Sequence, residues 1–238
     1  MTYCVGLLLD DGLVLLSDTR TNAGVDNIST YRKMFTFVDP GERAIAIMTA
    51  GSLSVTQTTL AKLEEAISDP DAPSIMTAGT MLEVVEMVGR TLSEVSTHVA
   101  GQMGAKAASA RASMIVAGQR KGGAPRLFLV YPEGNFIEAT DDTPYLQIGE
   151  HKYGKPILDR VVEPGTTLTD AKKAVLLSMD STLRSNLSVG LPLDLCVIET
   201  DKMMISEMRR IEADDQVFAS MSQAWSQALR DGFRGIEI

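Results

Sequence analysis

Four residues near the start of the chain, Thr2, Asp18, Lys33 and Gly51, have the types and order that cleavage of an amide bond requires. A threonine hydroxyl attacks a carbonyl only when a base takes its proton. Histidine, the usual base, occurs only as His98 and His151. Once Met1 is removed, Thr2 carries a free α-amine, which titrates at about 7.7 to 8.0 and can act as the base for its own hydroxyl. Removal of Met1 is expected, because a second residue as small as threonine permits it. Three additions complete the chemistry: a cation that keeps the amine unprotonated, a carboxylate that holds the cation, and a backbone N–H that meets the developing oxyanion. Lys33, Asp18 and Gly51 supply one each. No cofactor or metal is called for.

The elements that must position these residues are legible around them. Tyr3 to Leu9 is an apolar run ending at Asp10, Asp11 and Gly12, and Leu13 to Leu16 follows at once, so the chain opens with a hairpin that leaves Thr2 at one strand end. The polar stretch TRTNAGVDNIST reads as a connection to two further strands, Met34 to Val38 and Arg43 to Met48, joined at Pro40-Gly41. Asp18 then ends the second strand, Lys33 opens the third, and Gly51 stands where the fourth meets a helix.

Beyond Gly51 the period changes. Leu60, Leu63 and Ile67 mark a helix stopping near Pro70, and Met81, Val84, Val85, Val88, Leu92, Val95 and Val99 mark a long amphipathic one carrying His98 on its surface. ASMIVAGQ, RLFLVYP and NFIEAT read as a meander of strands. A helix is expected from about His151 to Val161 and another after Thr169 as its N-cap. LPLDLCVIET and KMMIS read as a closing hairpin, and Asp214 to Arg230 as a last helix displaying Val217, Met221, Trp225 and Leu229. Antiparallel strands in two groups with helices in two pairs predict an α+β fold, a four-layer αββα sandwich, in which each sheet covers one face with the other sheet and one with helices. A single domain over residues 1–238 accommodates it.

A net charge of −9 with no cluster of Lys and Arg argues against nucleic acid or an anionic membrane surface as partner. No stretch approaches the roughly 18 apolar residues of a membrane helix, and the N-terminus has no signal-peptide pattern. Cys4 and Cys196 sit in apolar strand-like runs and read as buried, reduced thiols. A cytoplasmic location is expected.

The order and spacing of the four residues resemble the β-type subunits of the proteasome and the related bacterial threonine peptidase, which are N-terminal nucleophile hydrolases with an αββα fold. The stretches SDTRTNAGVDNISTYRKM and IGEHKYGKPILDR resemble, more narrowly, the bacterial proteasome-like Anbu group. The resemblance implies that Thr2 is nucleophile and base, that Asp18 and Lys33 are a charge pair, and that Gly51 is an oxyanion donor. It also implies that Arg20 supports the site, that Thr49 faces the pocket for the substrate side chain, and that Ser188 supports the nucleophile. Two positions depart from the proteasomal pattern: Ser185 stands where an aspartate is usual, and Glu150 where a serine is. The implied function is hydrolysis of peptide or amide bonds in a homo-oligomer of about a dozen subunits, closed as a ring or open as a helix, with the long helix from Met81 and the C-terminal helix as contact candidates. A catalytically idle self-assembling subunit and an amidase for small molecules are the alternatives.

Overall fold

The computed structural model describes residues 2–22 and 28–237. The opening apolar runs form β1 (Tyr3–Leu9) and β2 (Gly12–Asp18), paired antiparallel. The chain continues through β3 (Arg20–Asn22), β4 (Ile28–Thr30), β5 (Met34–Asp39) and β6 (Arg43–Gly51). Helices α1 (Leu53–Ser68) and α2 (Met81–Met103) follow, then β7 (Ala112–Arg120), β8 (Arg126–Val130), β9 (Phe136–Glu138) and β10 (Tyr145–Gly149). Helices α3 (Lys155–Val161) and α4 (Leu168–Ser185), strands β11 (Leu193–Glu199) and β12 (Glu207–Ile211), and α5 (Gln216–Arg234) complete it.

Two five-stranded antiparallel sheets result, with strand orders β10-β1-β2-β11-β12 and β5-β6-β7-β8-β9, beside a two-stranded β3-β4 ribbon. Their strands are apolar on both faces because both faces are covered. Cys4, Leu13, Leu15, Met34, Met48 and Ile115 fill the space between the sheets. On alternate positions, Tyr3, Val5, Leu7 and Leu16 meet Leu158 of α3 and Val175 and Met179 of α4. On the far side, Ile45, Ile47, Val116 and Phe128 meet Val55 of α1 and Val84, Val85 and Val88 of α2. This is the expected αββα sandwich, and the stripe on α2 is core.

Several elements differ from the sequence reading. The polar connection after Asp18 contains the β3-β4 ribbon, and Tyr145–Gly149 forms a strand that pairs with β1 from Tyr3↔Gly149 to Leu7↔Tyr145. The helix expected from His151 begins at Lys155, where Pro156 fits the first turn, whose N–H groups have no intrahelical bond to lose. Thr167, not Thr169, caps α4: its hydroxyl accepts from Asp170 N at 3.2 Å. KMMIS is a turn, and the strand is the next segment, EMRRI, an edge strand whose Arg209 and Arg210 reach Asp215 and Asp194. In α5, Phe218, Met221, Ser222 and Trp225 turn inward while Val217 and Leu229 are exposed.

Candidate active site

The two β-strand ends that bracket the first hairpin bring Thr2 and Asp18 to the same edge of the sandwich. Asp18 is wholly buried and its carboxylate collects four donors. Tyr3 N reaches Oδ1 at 3.0 Å, Arg20 N reaches Oδ2 at 3.1 Å, Gly190 N reaches Oδ2 at 3.3 Å, and Lys33 Nζ reaches Oδ1 at 2.7 Å. An ionised carboxylate only accepts hydrogen bonds, so this geometry serves the charged form. Burial pushes the carboxyl above its usual range, and the Lys33 ammonium and the backbone donors offset only part of that rise.

Lys33 is itself only 5% exposed. Its Nζ makes a second hydrogen bond to the Arg20 carbonyl at 2.6 Å, so two oxygens fix the ammonium in place. It lines a cavity of about 300 Å³ together with Thr2, Thr21, Thr49, Ala50, Gly51, Leu53, Thr56 and Gly149. Thr2 falls on the same face of β1 as Cys4, whose thiol lies 3.8 Å from the Thr49 carbonyl, and Thr49 N donates to the Lys33 carbonyl at 2.9 Å. The ends of β1, β5 and β6 and the start of α1 thus surround one space.

Two glycines shape its walls. Gly51 has φ +108°, and a Cβ there would strike the Arg111 carbonyl oxygen across the β6-β7 pair. Gly149 has φ +83°, and a Cβ there would strike the Thr2 carbonyl oxygen. That same oxygen accepts from Glu150 N at 2.6 Å. The backbone of residues 149 and 150 therefore grips the Thr2 carbonyl.

The structure brings Thr2, Lys33, Thr49 and Gly51 to the cavity, with Asp18 directly behind Lys33. Arg20 packs outside this group, its guanidinium donating to the Leu187 carbonyl at 2.9 Å. Ser188 lies in the turn between α4 and β11, its N–H donating to Asn186 Oδ1 at 2.9 Å, and it does not line the cavity. Ser185 is exposed at the end of α4. Glu150 adjoins Thr2 through its backbone, while its carboxylate accepts from Asn186 Nδ2 at 3.1 Å and Lys152 N at 3.1 Å. The removal of Met1 concerns a residue outside the described ones.

Sequence reasoning missed Thr21, Leu53, Thr56, Gly149 and Gly190. Thr56 and Leu53 were within reach, because they follow Gly51 by less than two helical turns. Gly149 and Gly190 come from distant segments with no local signal. Both cysteines are buried and unpaired with each other, and burial pushes the Cys4 thiol far up and the Cys196 thiol up to about 12, so neither supplies a thiolate nucleophile near neutral pH. His98, exposed on α2, bonds to Gln102 within its own helix. Among the described residues no group of three or more His, Cys, Asp or Glu is arranged to hold a metal ion, and no helix is long and apolar enough to cross a membrane.

An αββα sandwich with a threonine at the lip of its first strand and a buried lysine-aspartate pair beneath it defines the proteasome type of architecture. The chain belongs to the proteasome subunit family, which matches it over residues 2–198, and within that family to the Anbu group. It is similar to the structure of an Anbu (Gly-1) mutant from Hyphomicrobium sp. strain MC1 at 47% identity and a TM-score of 0.93, covering 100% of this chain and 99% of that one. Anbu, the ancestral β-subunit, from Yersinia bercovieri is 44% identical with a TM-score of 0.94, covering 99% and 98%. An Anbu complex from Pseudomonas aeruginosa, solved as a helical assembly, is also 44% identical with a TM-score of 0.94, covering 99% and 97%.

Proposed function

We propose that this chain is a threonine-type hydrolase of peptide or amide bonds whose nucleophile is Thr2 after loss of Met1. In this reading Thr2 Oγ attacks the substrate carbonyl as the α-amine takes the hydroxyl proton. The amine then gives that proton to the leaving nitrogen as the C–N bond breaks. Water, deprotonated by the same amine, hydrolyses the resulting acyl ester and restores the hydroxyl. The Lys33 ammonium disfavours a second positive charge on the neighbouring amine and so keeps it unprotonated, Asp18 holds Lys33, and the Gly51 N–H meets the oxyanion. Thr49 contributes to the wall against the substrate side chain, with Arg20, Ser188, Ser185 and Glu150 as surrounding support. The observation that carries the reading is that Thr2 and Lys33 line one cavity, with Lys33 Nζ fixed 2.7 Å from the buried Asp18.

The test is covalent capture. Protein shown by mass to lack Met1 is treated with electrophiles of several warhead types and mapped by peptide mass. One adduct at Thr2 is expected, and Lys33→Ala should slow its formation about 10²- to 10⁴-fold, the span that general acid-base assistance contributes. No adduct from any warhead would remove the reading and leave an idle subunit.

Self-association of this chain is the second part of the proposal. Its support is the helical assembly of the Pseudomonas aeruginosa relative together with the apolar residues that α5 leaves exposed. Light scattering that returned a monomer would oppose it.

A further inference from the structure

The residue immediately after the nucleophile is held in an unusual way. Tyr3 is the first residue of β1, and it pairs with Gly149 on one side, whereas the pairing of β1 with β2 begins only at Cys4↔Ser17. A strand end with one neighbour frays easily. Yet Tyr3 is wholly buried, on the α4 side of the sheet, opposite to the face that carries Thr2.

Its hydroxyl explains the contrast. Gln147 Nε2 on β10 donates to Tyr3 Oη at 2.7 Å, which leaves the phenol proton to the Ser178 hydroxyl on α4, 2.6 Å away. Ser178 is also wholly buried. Burial pushes the phenol far above its ordinary range, so the proton stays on as a donor. Gly154 closes over the pair so tightly that a Cβ there would strike both hydroxyl oxygens. The backbone N–H of Tyr3 donates to Asp18 Oδ1, the oxygen that also receives Lys33. Tyr3 is therefore fixed by its side chain to α4 and β10, and by its backbone to the carboxylate that holds the lysine.

The geometry points to Tyr3 as a positioning residue: its buried hydroxyl, clamped between Ser178 and Gln147, holds the first residue of β1 in place and so aims Thr2 at Lys33. This rests on the reading of Thr2 as nucleophile. It reaches further, because it places one determinant of reactivity on the opposite face of the sheet and in the outer helix layer. A loose Tyr3 would let the strand end that carries Thr2 shift and would release one of the donors that orient Asp18. Small misplacements of a reacting group cost rate steeply.

The test compares Tyr3→Phe, Ser178→Ala and the double variant with Val175→Ala, an apolar truncation on the same face of α4 that leaves the clamp intact. Two quantities are read in each: the rate of electrophile capture at Thr2, and hydrogen exchange in the peptide covering the first strand. Tyr3→Phe and Ser178→Ala should each slow capture at least tenfold and speed exchange, and the double variant should match the singles because they break one clamp. Val175→Ala should lower the melting temperature without either effect. Capture at the native rate in Tyr3→Phe, or losses in Val175→Ala of the same size, would overturn the inference. If native protein is never captured, the nucleophile reading fails by itself, and the exchange arm still decides whether Tyr3 pins the strand: unchanged exchange in Tyr3→Phe sinks the clamp.

Discussion

Asp18 accepts from three backbone N–H groups and from Lys33, and an asparagine in its place would turn an NH₂ group toward at least one of these donors. The substitution would also leave a buried ammonium without its counter-charge. Removing one partner of a buried ion pair costs about 3–5 kcal/mol, far more than the pair contributes relative to apolar residues of the same shape. Asp18→Asn is expected to destabilise the protein by about that amount in urea unfolding at fixed protein concentration. A loss below about 0.5 kcal/mol, the range of ordinary surface substitutions, would show that Lys33 does not depend on Asp18. The carboxylate that makes a buried lysine tolerable is also the one that fixes where its charge points, which in the proposed reading joins stability to chemistry at position 18.

At the scale of elements, the site is a meeting of strand ends, and the glycines decide how closely those ends approach. Gly149 and Gly122 share a positive φ, +83° and +79°, but a Cβ at 122 meets open space whereas one at 149 meets the Thr2 carbonyl. Gly122→Ala should therefore lose only the strain of a left-handed residue, about 1–2 kcal/mol, and Gly149→Ala should lose clearly more, read as a larger fall in melting temperature. Equal falls would mean that β1 yields freely to β10. The sequence reader reaches part of this architecture and not the rest for physical reasons. β1, β2, β6 and β7 announce themselves because both of their faces are covered, which demands unbroken apolar runs. β10 offers only Leu146 and Ile148 to the inter-sheet layer between polar flanks, and β12 is an edge whose arginines suit solvent, so neither carries that signal. The cap of α4 was legible in Thr167 and Asp170, three apart, but Thr169 competed with it. In the site, Thr2, Asp18, Lys33 and Gly51 follow from the order of four strands, whereas Thr49 comes only from the family resemblance. The partners of Tyr3 lie 144 and 175 positions away, beyond any local pattern.

For the whole molecule, the question is which surface is left for another copy once the layers have covered each other. The long helix α2 is a weak candidate, because its apolar stripe from Met81 to Val95 is spent on the second sheet and its outward positions include Glu83, Glu86, Arg90 and Glu94. α5 is different. Trp225 is partly covered, and Leu229 and Phe233 continue from it at intervals of four residues along one side, 54% and 79% exposed, with Ile236, 68% exposed, just beyond the helix end. Single exposed apolar side chains are ordinary on a protein surface, whereas an adjoining set marks a contact. A second copy of the chain is the occupant that self-association requires, and an open helical arrangement, as in the Pseudomonas aeruginosa relative, needs contacts that repeat without closing. Leu229→Asp and Phe233→Asp place charges where such a contact would have to bury them, far from either core layer. The expected result is a shift to smaller species in light scattering, with circular dichroism unchanged, while Val217→Asp at the opposite end of α5 shifts the mass less. Full-size assemblies in the Leu229 and Phe233 variants would move the interface away from this stripe, since an unpaired carboxylate buried at a packed contact costs more than the contact of a single side chain can return.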